Sequence, residues 1–252
     1  MTENAFWKGS FEFMVKAVTH IEAMMFDLDG TLIDSIPAYF DLLQSIFDTL
    51  GLPQPEIPLK KAFIGRGPVV FEQMIPEQND LDRETVIQQC FEVGRRLSRD
   101  MFRNKVRLFP GVKELFEMLK QQGISIGIVS TTERQFIERK MQPLTNEGIR
   151  KAVEVIIAIE DAPQRKPAPD PLLECARRLS VAPQKCVYVG DSDVDILAGK
   201  AAGMQTIGVL SGLADRQTFH KEQPTLVVES VNDIWRHLAP HAANIKAERR
   251  QG

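Results

Sequence analysis

Apolar residues in this chain recur with two different periods, and the change from one to the other divides it into parts. Short unbroken apolar runs predict buried strands at 21–26, 124–129, 153–158, 186–189, 206–209 and 226–228, each too short for a stable helix. Between them the apolar residues return every three or four positions. Val112, Leu115, Phe116 and Leu119 share one face of a helix that Phe109-Pro110-Gly111 leads and Gly123 ends, and further helices are expected near 171–179, 194–202 and 231–238. Strands alternating with helices predict an α/β fold, a doubly wound parallel sheet, in which ligands gather at the carboxyl ends of the strands.

That rhythm is interrupted once. Ser35 ahead of Pro37 predicts a capped helix running to about Leu50. From there to about Arg107 only helical periodicity appears, notably over 82–103, where Val86, Cys90, Val93 and Leu97 are spaced for one face. A helical insert of this kind, roughly seventy residues, is large enough for a small domain. The expected organisation is an N-terminal extension at 1–20 carrying Phe6, Trp7, Phe11 and Phe13, an α/β core at 21–35 and 108–240, a helical cap at 36–107, and a polar tail at 241–252.

Composition narrows the function more than the fold. The 252 residues are 43% hydrophobic and 26% charged, ordinary for a globular protein. A formal net charge of −3 argues against a broad nucleic-acid surface and leaves a small molecule as the expected partner. Cys90, Cys175 and Cys186 are odd in number and lie in apolar surroundings, so reduced buried thiols and a cytoplasmic setting are expected. No stretch is apolar enough for a signal peptide or membrane span. The four histidines lack metal-ligand spacing, since Pro240 interrupts the His237–His241 pair.

Chemistry concentrates in four patches at predicted strand ends or in the loops just beyond them. The first is Asp27-Leu28-Asp29-Gly30-Thr31, two carboxylates one residue apart followed by a glycine turn. Alternate residues of an extended segment share a face, so the two acids would converge, and converging acids need a cation. Mg2+ and a phosphorylated substrate fit that requirement. Asp27 is the expected nucleophile, attacking phosphorus to form an aspartyl-phosphate, and Asp29 the expected proton donor to the leaving alkoxide. Gly30 and the amides after it would reach phosphate oxygens unobstructed.

The second patch offers Ser130 and Thr131 for the phosphoryl oxygens, and the third presents Lys166 among prolines, its ammonium available to neutralise the transferring group. The fourth is Gly190-Asp191-Ser192-Asp193-Val194-Asp195, where Asp191 and Asp195 lie one helical turn apart. Asp27, the backbone carbonyl of Asp29, and Asp191 are the expected metal ligands, with Asp195 acting indirectly. In the cap, Arg66 between Gly65 and Gly67 is the candidate for reading a carboxylate or second phosphate on the substrate.

These four patches, in this order, resemble the haloacid dehalogenase superfamily over roughly residues 21–238, and the insert resembles the mobile cap of its phosphoglycolate phosphatase and beta-phosphoglucomutase subgroup. The resemblance implies a phosphatase acting through an Asp27 phosphoenzyme. The presence of Asp29 sets the chain apart from the true dehalogenases, whose reaction releases no alkoxide. A sugar-phosphate mutase shares every core residue and is the alternative enzyme; a phosphate-binding protein without catalysis is the alternative outside enzymes. Thr131-Thr132 stands where many phosphatases of this kind carry Asn-Lys.

Overall fold

The computed structural model describes residues 21–53, 74–75 and 83–238. Arg66, the N-terminal aromatic residues and the polar tail lie outside these. In chain order the main elements are β1 (Ala23–Phe26), β2 (Ile33–Asp34), α1 (Ile36–Leu50), α2 (Arg83–Lys105), β3 (Arg107–Leu108), α3 (Val112–Gln121), β4 (Ser125–Val129), α4 (Arg134–Lys140), α5 (Gln142–Asn146), β5 (Val155–Ile157), α6 (Asp170–Leu179), β6 (Cys186–Gly190), α7 (Asp193–Ala201), β7 (Gln205–Val209), α8 (Arg216–Glu222) and β8 (Leu226–Val228).

Six strands form one parallel sheet in the order β5-β4-β1-β6-β7-β8. The first strand lies inside the sheet with β4 on one side and β6 on the other, so the connections diverge at its carboxyl end. Such a switch point is where a doubly wound sheet opens a crevice.

Both faces of the sheet are buried, which is why its strands read as continuous apolar runs. The period of two still sorts side chains between the faces. Met24, Phe26, Ile126, Ile128, Val187 and Val189 enter the larger core with α3. Phe26 meets Phe116 there at 5.4 Å between ring centroids. Ala23, Met25, Cys186 and Tyr188 enter the opposite core beneath α6. Gly127 belongs to this second face, where a Cβ would stand 2.5 Å from Cys175 Sγ. All three cysteines are buried free thiols, as expected from the sequence.

The predicted helical insert holds α1 and α2. Leu42, Leu43, Ile46 and Phe47 pack with Val86 and Cys90 in a cluster separate from the sheet cores. The chain leaves the core along β2 and returns along β3, which pair antiparallel as a two-stranded ribbon at the junction. This ribbon has no sequence signal of its own, being two residues on each side. No helix among the described residues is long and apolar enough to cross a membrane.

Three local expectations change. Ser35 occupies the N-cap position of α1, but its side chain makes no capping bond. Pro37 removes one of the first-turn amides that a capping oxygen accepts from, and the Ser35 hydroxyl donates instead to Asp29 Oδ1 at 2.7 Å. The last predicted helix begins as a 3-10 turn at Val231–Asp233 before 234–238 become helical. Finally, β1 ends at Phe26, so Asp27 and Asp29 stand in the loop beyond it and their convergence cannot be read from strand alternation.

Candidate active site

The loop after β1 continues the sheet for one bond, Asp27 N–H donating to Val189 O at 2.9 Å, and then folds back so that Leu32 and Ile33 both donate to Leu28 O. Gly30 makes this reversal with φ +77°, and a Cβ there would lie 2.5 Å from Asp191 Oδ2. Glycine is therefore required by close approach as well as by backbone shape. Its N–H is already committed to Ile33 O at 2.9 Å, which corrects the expectation that this amide faces a phosphate.

Lys166 links the patches. Its ammonium donates to Asp27 Oδ1 at 2.6 Å, Asp195 Oδ1 at 2.7 Å and Tyr188 Oη at 2.9 Å, which saturates its three N–H bonds. Only 4% of the side chain is exposed. Burial alone favours neutral lysine, but Asp195 and Asp27 outweigh it and hold the ammonium well above its ordinary pKa. Tyr188 comes from the Cys186/Tyr188 face of β6, so its hydroxyl reaches the site from below the sheet. It went unrecognised because a tyrosine in an apolar strand reads as core.

Asp191 directly follows β6 and is 2% exposed. Thr31 Oγ1–H donates to its Oδ1 at 3.2 Å, and Leu213 N–H to its Oδ2 at 2.8 Å. Burial, then repulsion by Asp195 and Asp27, pushes its pKa well above the ordinary carboxylate value despite those bonds and Lys166. The Leu213 contact exists because the loop after β7 crosses tightly over Asp191, where a Cβ on Gly212 would stand 1.9 Å from Oδ2. Ser211 in the same loop donates to Gly30 O at 2.8 Å. The Ser211-Gly212 pair just past a strand was the available signal for this segment.

One oxygen each from Asp27, Asp191 and Asp195 lies within 4.8 Å of the others. Asp195 is turned by two further bonds, accepting from Ser192 N–H at 3.1 Å and Ser192 Oγ–H at 2.5 Å. Three carboxylates against one ammonium leave about two unbalanced negative charges in a buried space. Asp27 shows the consequence: burial, with repulsion from Asp195 and Asp29, raises its pKa from 3.8 to about 7 although Lys166 pulls the other way. A hard divalent cation held by oxygen donors fits this deficit.

Ser130 stands at the carboxyl end of β4, 4% exposed. Its hydroxyl accepts from Thr132 N–H at 3.1 Å and donates to Thr132 Oγ1 at 3.0 Å, so here it closes the turn. Thr131 is exposed beside it and, with Lys166, lines a crevice under the 164–166 loop.

Asp29 faces the other way. Its Oδ1 accepts from Ser35, and its Oδ2 from Lys140 at 2.6 Å. Lys140 also donates to Thr132 Oγ1 at 2.8 Å. Its ammonium lies 4.9 Å from the Tyr39 ring centroid and 5.9 Å from that of Phe102, on α1 and α2. Lys140 and Tyr39 went unrecognised by sequence reasoning. The ammonium that the sequence lacks at Thr132 reaches that threonine from one residue of α4.

The parallel sheet, its switch point and the carboxylate cluster above it define a class, α/β proteins that gather acids and one lysine at the carboxyl ends of their strands. The model of the haloacid dehalogenase-like hydrolases matches residues 24–209, and the chain belongs to that family. The phosphoglycolate phosphatase of Escherichia coli K12 is 30% identical over 243 residues, covering 89% of this chain and 95% of its own length. That of Nitrosococcus oceani is 30% identical over 225 residues, covering 88% and 98%. A crystal structure from Haemophilus somnus 129pt, described as a predicted phosphoglycolate phosphatase, superposes with a TM-score of 0.76 at 23% identity, over 86% of this chain and 98% of that one, and shows the shared fold. The chain is thus an enzyme, a phosphatase of the haloacid dehalogenase type.

Proposed function

We propose that this phosphatase hydrolyses a small phosphorylated metabolite with Mg2+, through a phosphoryl group carried on Asp27, and that 2-phosphoglycolate is its substrate. The observation that carries the reading is the opposed setting of the two acids. Asp27 is buried and fixed at Oδ1 by Lys166, while Asp29 stands beside it, held by Ser35 and Lys140 on the cap side. The full-length likeness to the two phosphoglycolate phosphatases supports the choice of substrate.

Asp27 Oδ2 attacks phosphorus as the ester P–O bond breaks, and Asp29 delivers a proton to the departing alkoxide oxygen. Water then attacks the same phosphorus, Asp29 accepts its proton, and the Asp27 carboxylate is released with inorganic phosphate. Mg2+, held by Asp27, the Asp29 carbonyl and Asp191, would supply Lewis-acid neutralisation of the phosphoryl oxygens. Lys166 adds a fixed positive charge at Asp27, and Asp195 keeps that lysine in place. The α1–α2 unit acts as the cap, with the leaving group between it and the strand ends.

The test is a panel of small phosphate esters assayed for phosphate release with Mg2+ and with EDTA. The expected result is turnover only with Mg2+ and the highest kcat/KM for 2-phosphoglycolate. No Mg2+-dependent release from any ester overturns the reading. Isomerised sugar phosphate with little free phosphate would replace it with the mutase.

A further inference from the structure

The core contacts account for the phosphoryl group and leave open how the enzyme selects the alcohol it releases. The answer has to lie on the cap side of Asp29, because a proton donor must touch the leaving oxygen. Among the described residues, two lysines are bonded to the carboxylates of this site, and they differ in the charge of their remaining partners. Lys166 has its three donors spent on Asp27, Asp195 and Tyr188 below the reacting group. Lys140 is on the leaving-group side, its Nζ 2.6 Å from Asp29 Oδ2 with 15% of its side chain exposed, and its other two partners are the neutral hydroxyls of Thr132 and Tyr39, which an incoming anion can displace.

The surroundings of Lys140 are built to present charge. Thr132 Oγ1 fixes the ammonium from the core at 2.8 Å. From the cap, the Tyr39 and Phe102 rings, themselves packed edge to face at 4.6 Å, lie on α1 and α2 toward the same ammonium. Burial works against the charge, and Asp29 and Tyr39 outweigh it, so the lysine stays protonated above its ordinary pKa. An ammonium against aromatic rings is poorly solvated, which raises the value of an anion brought to it. A group one or two bonds from the ester oxygen, itself at Asp29, falls within reach of this ammonium. Thr132 and both rings offer an anion no competing negative charge.

Resting on the phosphatase reading above, we infer that Lys140 is the specificity-determining residue for the leaving group, and that the substrates are phosphate esters whose alcohol carries a carboxylate or second phosphate one or two carbons from the ester oxygen. Lys140 takes that anion as a charge-assisted hydrogen-bond partner while Asp29 serves the ester oxygen. The role first expected of Arg66 then falls on a core residue.

The test compares 2-phosphoglycolate with ethyl phosphate, which keeps the skeleton and replaces the carboxylate by a methyl group, in the wild type, Lys140→Met and Lys140→Arg. In the wild type kcat/KM should favour 2-phosphoglycolate at least thirtyfold. Lys140→Met should reduce that preference about thirtyfold, mainly through KM, the effect of losing one charged hydrogen bond. Lys140→Arg should recover most of it. Equal losses on both esters would show that Lys140 acts only by holding Asp29, and would overturn the inference, as would an unchanged preference. If neither ester is turned over, the phosphatase reading fails on its own; calorimetric titration of the same esters into the same proteins with Mg2+ then decides, a Lys140-dependent preference sustaining the inference and its absence overturning it.

Discussion

Lys166 and Lys140 each close on a carboxylate at 2.6 Å, yet they stand in different kinds of surroundings. Around Lys166 every partner comes from a strand or the first turn after one, and the ammonium is shared by two acids and a phenol with almost no water access. Around Lys140 the partners come from the loop after β1, a turn, and helices α1 and α2, and the Thr132 hydroxyl stands where Lys166 has its second acid. The first arrangement suits the part of the reaction that is the same for every ester. The second lies away from the sheet, its aromatic wall standing on α1 and α2, which pack together in a cluster of their own.

The contrast predicts unequal costs. Lys166→Met leaves Asp27 and Asp195 buried without their counter-ion and should lower the unfolding free energy by about 3 kcal/mol in the absence of metal, as read by urea titration. Lys140→Met leaves a partly buried Asp29 that keeps Ser35 as a partner and should cost less, about 1 kcal/mol. Equal losses would mean that the two lysines are equivalent struts and that the division between the two sides is wrong.

A smaller effect sharpens the same division through pH. The pKa of Asp27 is raised to about 7 from 3.8, chiefly by burial. Between those values the folded protein keeps a proton that the unfolded chain has released, so the metal-free protein loses stability as pH rises from about 4 to about 7. In the proposed reaction Mg2+ takes the place of that proton. Its addition should therefore raise Tm more at pH 8 than at pH 5. The same Tm shift at both values would show that the cation does not engage the buried carboxylates.

Legibility in the sequence followed the same line. The strands and the α/β order could be read from apolar runs, and Asp27, Asp191 and Asp195 drew notice because they follow such runs closely; Lys166, which the structure brings to Asp27 and Asp195, drew notice instead from the prolines around it. Ser35 was misread as a cap because its real partner is a side chain, a choice set by tertiary structure. Gly30 makes the expected turn, and only the folded loop shows that its N–H is given to Ile33 O. Lys140 was invisible for a different reason. It ends a seven-residue helix, RQFIERK, in which it is one of several charged residues, and it meets Asp29 across 111 positions of chain. Tyr188 went unnoticed within its apolar run because a hydroxyl's partner leaves no trace in periodicity.

The central claim is that phosphoryl transfer passes through Asp27. Acid-quenching the wild type and Asp27→Asn during turnover of 2-phosphoglycolate with Mg2+, followed by peptide mass analysis, tests it most directly. A phosphoryl group on the peptide containing Asp27 in the wild type, with no adduct and at least a thousandfold lower turnover in the variant, is the predicted result. Undiminished turnover by Asp27→Asn, or an adduct on a different residue, would contradict it.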